Sequence, residues 1–277
     1  MRRLVLWVEY CGEGFSGFQR LGPPAPGQGN PRHWKAQETV QAELECKLSV
    51  ILGEPIKIWG SGRTDRGVHA TSQVVACDTG TSKELESILA SLNAVLCQGL
   101  RAVRGSWAAS DFHPRFSALE RTYHYYLWPE APPRHCFLAG MCWMLPEKLD
   151  LEAVKRAALP LLGSHDFSAY TRCPEPGETR TRELRAIEIQ PQAARPASML
   201  GPFAPLAQLV CLEVRANAFL RRMVRQLVAN LVEVGRGRWP ESLPHEILLS
   251  RDATRGAPPA PAQGLFLVDI RFGSNPA

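Results

Sequence analysis

Residues 60–70 read G-S-G-R-T-D-R-G-V-H-A, with three glycines, two arginines, one aspartate and one histidine in eleven positions. Such a stretch could cradle phosphate, hold a metal, make a tight turn or seat one reactive carboxylate. A Walker A loop ends in Gly-Lys-Ser/Thr, which is missing here. In a dinucleotide fingerprint the glycines stand as G-x-G-x-x-G; here the third is misplaced, and residues 68–78 read as a strand, not a helix. Asp65 and His69 are two candidate metal ligands with no obvious third. The glycines suit a β-loop-β connection, yet a turn explains neither Arg63 nor Asp65. In an extended loop, side chains at i and i+2 fall on one side, so Arg63 and Asp65 can approach each other. An arginine beside a carboxylate keeps it ionised and oriented. That suits a nucleophilic carboxylate and equally a structural salt bridge, and composition does not choose between them.

Two further stretches carry chemistry. Asp111-Phe112-His113-Pro114-Arg115-Phe116-Ser117-Ala118, followed by the tyrosine-rich run from Arg121 to Tyr126, mixes basic and aromatic side chains. Aromatic faces stack on unpaired bases and arginine contacts phosphate; alternatively, Tyr123 and Tyr125 belong to the core of a strand. Asn217-Ala218-Phe219-Leu220-Arg221-Arg222-Met223-Val224-Arg225 reads as helix, with Arg221 and Arg225 on one face. It is either a solvated basic face or, since Arg225 lies among core-facing residues, a half-buried arginine that needs an anionic partner.

The elements that must position these residues follow from periodicity. Strands are predicted over residues 4–10, 55–60, 72–78 and 101–107, and helices over 37–52 and behind Leu85, the latter opened by a Thr81–Glu84 capping box. The order β-α-β-β-α-β then recurs. Strands fall at 121–128, 182–190, 208–215 and 264–272, a helix is capped by Asp150 and disturbed by Pro160, and a long helix runs over 216–234. A short extra strand is read within 140–145. The expected fold class is α/β (α+β), with two ferredoxin-like halves, 1–110 and 111–277, a central antiparallel or mixed sheet and a cleft between the halves. Pro/Gly-rich insertions at 22–31 and 191–205 read as surface loops. The chain has 277 residues, 45% of them hydrophobic, and a net charge of +5. No apolar run is long enough for a membrane span. Eight scattered cysteines without a C-x-x-C pair read as reduced thiols of an intracellular protein. Arginines recur beside aromatics and glycines, Arg172, Arg180 and Arg182 among them, which is compatible with a polyanionic partner.

Taken together, these elements resemble the tRNA pseudouridine synthase A (TruA) family over nearly the whole chain. The resemblance opens at Tyr10-Cys11-Gly12-Glu13-Gly14-Phe15-Ser16-Gly17-Phe18-Gln19-Arg20, similar to the family's Y-D-G-x-x-F-x-G-W/F-Q-R. It continues through G-R-T-D-x-G-V-H-A, D-F-H-x-R-F-S-A, R-x-Y-x-Y, L-L-G-x-H-D-F and N-A-F-L-x-x-M-V-R, and closes at Gly264-Leu265-Phe266-Leu267. The resemblance implies Asp65 as the catalytic aspartate with Arg63 beside it, Tyr123 as the tyrosine that stacks on the target base, and Arg225 as the helix arginine paired with the aspartate. It also implies Leu265 as an apolar residue of the pocket, and His113 and Arg115 near the flipped nucleotide. Arg66, Gln19, Arg20, Arg221 and Arg222 are expected to contact RNA. Implied further are action on the tRNA anticodon stem-loop at positions 38 to 40, no cofactor or metal, and a homodimer with a shared basic surface; a cytoplasmic or organellar setting such as the mitochondrion is expected separately, from the first strand starting almost at Met1. Arg66 stands where the family usually has a small residue, and Cys11 where it usually has aspartate. The alternative expectation is a non-catalytic RNA-binding or chaperone protein that retains the fold.

Overall fold

A computed structural model describes residues 1–20, 39–132, 136, 138–171, 177, 179–191 and 208–273. The insertion at 22–31, nearly all of that at 191–205, Arg172 and Cys173 lie outside the described residues. Two compact units are present, one of Met1–Leu119 with Leu267–Ala277, the other of Glu120–Phe266. The fold class is α+β.

The first unit runs β1 (Arg2–Tyr10), α1 (Val40–Leu52), β2 (Trp59–Gly60), β3 (His69–Thr79), α2 (Leu85–Val95) and β4 (Leu100–Ala108), the anticipated β-α-β-β-α-β order. β1 lies between β3 and β4, antiparallel to both, and β2 pairs antiparallel with β3. The β1 run Leu4–Val8 is buried on both faces, as its unbroken apolar composition requires. Thr39 caps α1 by accepting from the Ala42 N–H (3.2 Å), and Gly53 ends it at φ 75°. Val40, Leu44 and Leu48 form its buried stripe. α2 rests on β4 at Gly105, where a Cβ would stand 2.8 Å from Leu85 Cδ1.

Two local readings are corrected. The expected strand over 55–60 is only the two residues of β2. The capping box at Thr81 does not form: Glu84 occupies the N-cap position of α2 without a side-chain cap, and Thr81 Oγ1 instead accepts from Lys83 N–H at 3.2 Å. A local side-chain turn has displaced the helical cap.

The second unit contains all but the first two residues of β5 (Ala118–Trp128), then β6 (Trp143–Met144), α3 (Leu151–Ala158), β7 (Gly163–Asp166), β8 (Thr181–Pro191), β9 (Val210–Ala216), α4 (Met223–Gly235), α5 (Leu243–Ser250) and the first residues of β10 (Leu265–Phe272). β5, β9, β8 and β7 pair in that order, all antiparallel, and β6 adds parallel to β5. Asp150 caps α3 through Ala153 N–H (3.0 Å), and Pro160 gives a single 3-10 turn, Leu159–Leu161, in place of further α-helix. α4 packs closely on α3 because Gly235 has no side chain; a Cβ there would stand 2.7 Å from Val154 Cγ2. Tyr123 and Tyr125 are both buried, as the core reading of that strand required.

The long helix begins at Met223, not Ala216, so Arg221 precedes it and shares no helical face with Arg225. The cause is Asn217. Its N–H donates to Glu183 O (3.2 Å), and its Oδ1 accepts from the N–H groups of Glu183 (3.0 Å) and Ala218 (2.7 Å). These bonds tie the stretch to β8, and Arg222 enters the helix through a left-handed conformation at φ 63°.

Candidate active site

Asp65 sits in the loop from β2 to β3, and every neighbouring stretch of that loop is tied down. Before it, the Ser61 N–H donates to Val74 O (2.9 Å) and Ser61 Oγ to Gln73 Oε1 (2.7 Å), while Gln73 Nε2 donates to Gly62 O (2.7 Å). Gln73 and Ser61 are buried, so these bonds are shielded from water. Thr64, adjacent to Asp65, has its hydroxyl 2.8 Å from the Tyr10 hydroxyl, and its carbonyl accepts from Phe18 N–H (3.1 Å). After it, Val68 N–H donates to Asp65 O (3.1 Å), closing a turn with Gly67 at φ 80°. Beyond that, Gly12 N–H donates to His69 Nδ1 (3.2 Å).

The opening segment Tyr10–Arg20 lies against this loop. A Cβ on Gly12 would stand 2.2 Å from Val68 O, and one on Gly17, whose φ is +108°, 3.0 Å from Thr64 O. Burial pushes the Tyr10 hydroxyl up to about 12, against the opposing hydrogen bonds with Thr64 and then Gln73. Asp65 itself is half-buried, and Arg63 and Arg66 on either side are exposed. The loop therefore presents one carboxylate between two cations on backbone that is held from both flanks. Gln19 and Arg20 follow directly, with Arg20 N–H bonded to Gln41 Oε1 (3.0 Å).

A second cluster of the same unit contains His113 and Arg115. The His113 and Ser117 main chains bracket a turn, with Ser117 N–H donating to His113 O (2.8 Å) and His113 N–H to Ser117 Oγ (3.1 Å). The His113 ring lies 4.5 Å from Phe116 and 5.8 Å from Trp59, and the Arg115 guanidinium is 5.8 Å from the Phe116 ring. Burial and then the nearby Arg3 lower the His113 pKa, favouring the neutral ring. Phe116 is 77% exposed, an aromatic face open to solvent beside an arginine. Sequence reasoning did not assign Trp59 to this cluster; its position at the polar end of an apolar run was the available signal.

In the second unit, Tyr123 on β5 packs edge-on against Phe219 (5.1 Å, 90°). Arg225 lies in the first turn of α4, half-buried as its place in the apolar stripe suggested. Its Nε donates to Ala260 O (2.7 Å), and Ala260 N–H returns a bond to Arg225 O (3.0 Å). Arg221 and Arg222 are exposed just before it. Leu265 is buried at the start of β10. Four residues earlier, Pro261 O accepts from the Tyr125 hydroxyl (2.8 Å). Burial raises the Tyr125 pKa well above its ordinary value, more than the nearby Arg225 lowers it. Three groups that sequence reasoning did not single out as functional hold the candidates in place: Tyr10 and Gln73 behind the Asp65 loop, and Phe219 beside Tyr123.

Comparison with known proteins gives the class first. A family model described as tRNA pseudouridine synthase matches residues 157–273, which include Arg221, Arg222, Arg225 and Leu265. Full-length relatives are more particular. A tRNA pseudouridine synthase A of Nitrosomonas europaea is 36% identical over 273 residues, covering 99% of this chain and 90% of that protein. One from Thiobacillus denitrificans is 36% identical over 98% of this chain and 94% of its own length. One from Fervidobacterium nodosum is 34% identical over 98% of this chain and all of its own length. The chain belongs to the tRNA pseudouridine synthase A family, a family of isomerases.

Proposed function

We propose that this protein isomerises uridine to pseudouridine in the anticodon stem-loop of tRNA, at positions 38 to 40, with Asp65 as the reacting carboxylate and as a homodimer. The observation that carries the reading is the half-buried Asp65, between exposed Arg63 and Arg66, on a loop tied at Ser61, Gly62, Thr64 and Val68. The reaction breaks the bond between uracil N1 and the ribose C1′ and forms one from C5 to the same carbon. Uracil must detach, turn and reattach, and the C5 proton leaves at the end. A carboxylate held in one place serves that sequence by attack on the sugar or base, or by removing a sugar proton.

Tyr123 would stack on the detached uracil, and Leu265 would supply an apolar wall. Arg63 and Arg225 would keep positive charge where the carboxylate works. Arg66, Gln19, Arg20, Arg221, Arg222, His113 and Arg115 would hold the surrounding RNA, whose target base must leave its stack at a cost of about a few kcal/mol. The residue roles and the dimer rest on the family resemblance, and a tRNA substrate places the protein where tRNA matures. Among the described residues no helix is long and apolar enough to cross a membrane.

The test is to incubate the purified protein with unmodified tRNA, without cofactor, and to map pseudouridine at nucleotide resolution. New pseudouridine confined to positions 38 to 40 is expected. Binding without conversion would instead favour a non-catalytic RNA-binding role, and conversion elsewhere would overturn the site assignment.

A further inference from the structure

We propose that Tyr10 is a positioning residue for Asp65, its buried hydroxyl fixing Thr64 and so the backbone from which the reacting carboxylate projects. The inference rests on the reading of Asp65 above. Tyr10 ends β1, where the pairing of β1 with β3 changes register between Val8 and Tyr10, so that Tyr10 falls opposite Ala70. Such an irregularity re-aims the side chain, and here the hydroxyl reaches Thr64 Oγ1 at 2.8 Å. Tyr10 and Thr64 are buried, at 4% and 7% exposure, so the bond between them is shielded from water. The phenol, held near 12 by burial, stays protonated across the working range of pH, and the bond does not titrate there.

Thr64 is gripped twice by one short segment: its side chain by Tyr10 and its carbonyl by Phe18 N–H (3.1 Å). Gly17 allows this close approach, because only a residue without a Cβ tolerates both its φ of +108° and the Thr64 oxygen beside it. Phe15, edge-on to the Tyr10 ring at 6.3 Å, limits the ring from another side. The motif Tyr10–Arg20 thus gains a role: its buried members hold the loop. Removing the Tyr10 hydroxyl leaves the ring, the fold and the RNA-facing side chains in place but frees the Thr64 side chain. A carboxylate displaced by a fraction of an ångström loses turnover while RNA affinity is unaffected.

The experiment compares wild type, Tyr10→Phe, Thr64→Val and the double variant in turnover reactions over tRNA concentrations from well below to well above KM, each well below its own melting temperature. Tyr10→Phe is expected to lower the rate about 10- to 100-fold with KM unchanged within about twofold. The double variant should be no more than about threefold slower than the slower single variant, since the Tyr10–Thr64 bond is lost in both single variants and Tyr10→Phe alone also removes the hydroxyl's interaction with Gln73. Hydrogen exchange should quicken at the amides of residues 64–68, which reports the loop independently of activity. A Tyr10→Phe rate equal to wild type, additive rate losses in the double variant, or a loss appearing only in KM overturns this inference alone. Absence of product from wild type overturns the functional reading, and this inference with it.

Discussion

Asp65 projects from backbone held on both sides, and that is what separates it from an ordinary surface carboxylate. Tyr123 and Arg225 are the residues whose roles are most separable by substitution. If Tyr123 acts through its ring, Tyr123→Phe retains much of the turnover while Tyr123→Ala, which also loses the edge contact with Phe219, reduces it by about 10- to 1,000-fold in single-turnover assays. Equal loss in both would point instead to the hydroxyl. Arg225→Ala removes a cation together with its bond to Ala260 O; turnover is expected to fall by about 100-fold or more, and Arg225→Lys to restore only part of it, because a lysine lacks the guanidinium fork. At this scale the sequence was informative about which residue types stand together and silent about what holds them. Composition left Asp65 undecided between salt bridge and nucleophile, and neither Tyr10 nor Gln73 carries any local mark of its partner, since Tyr10 lies 54 positions from Thr64.

Elements decide how closely those residues are held. The glycines of the opening segment differ in what they face, and their substitutions should differ accordingly. Gly17→Ala meets Thr64 O at 3.0 Å with φ at +108°, and Gly12→Ala meets Val68 O at 2.2 Å, whereas Gly14 has nothing within 4 Å. The first two should destabilise the protein by about 1–3 kcal/mol or more and Gly14→Ala by less than about 0.5 kcal/mol, read from urea unfolding midpoints. β1 and β3 are further linked by the Arg3–Asp78 pair at 2.8 Å, whose hydrogen bond draws the Asp78 carboxyl below its ordinary 3.8. A depressed carboxyl pKa stabilises fully above that ordinary value and ceases to do so as pH falls through the folded value. The stability difference between wild type and Asp78→Asn should therefore be constant near neutrality, begin to shrink only near about pH 4, and be lost as pH falls on through the lowered folded-state value. Apolar periodicity made α1, α4 and most strands legible, because burial sets the repeat. The start of α4 was not legible, because Asn217 bonds to Glu183, a residue 34 positions away, and that bond pre-empts the helix.

For the whole molecule, the net charge of +5 and the exposed arginines at positions 63, 66, 221 and 222 suit a polyanion. Apparent tRNA affinity should fall steeply as salt is raised, and Arg66→Ala should reduce the slope of log affinity against log salt by about 1. Light scattering of the purified chain should give twice the 30.7 kDa chain mass if the proposed homodimer forms. The β-α-β-β-α-β order of the first unit was legible from the sequence alone because each segment repeats its own hydrophobic period; in the second unit the short strand β7 and the helix α5 depart from the expected repeat. What lies beyond local periodicity, such as the position of β1 between β3 and β4 in the first unit, required the structure. The central claim is that Asp65 reacts while the rest of the molecule holds the RNA, and one comparison tests it most directly. Wild type and Asp65→Asn are incubated over the same concentration series with a tRNA carrying uridine at positions 38 to 40; pseudouridine is mapped at saturation and tRNA affinity is read from the series. The account predicts complete conversion by wild type, and binding within about threefold of it but no detectable pseudouridine with Asp65→Asn. Normal conversion by Asp65→Asn would contradict it.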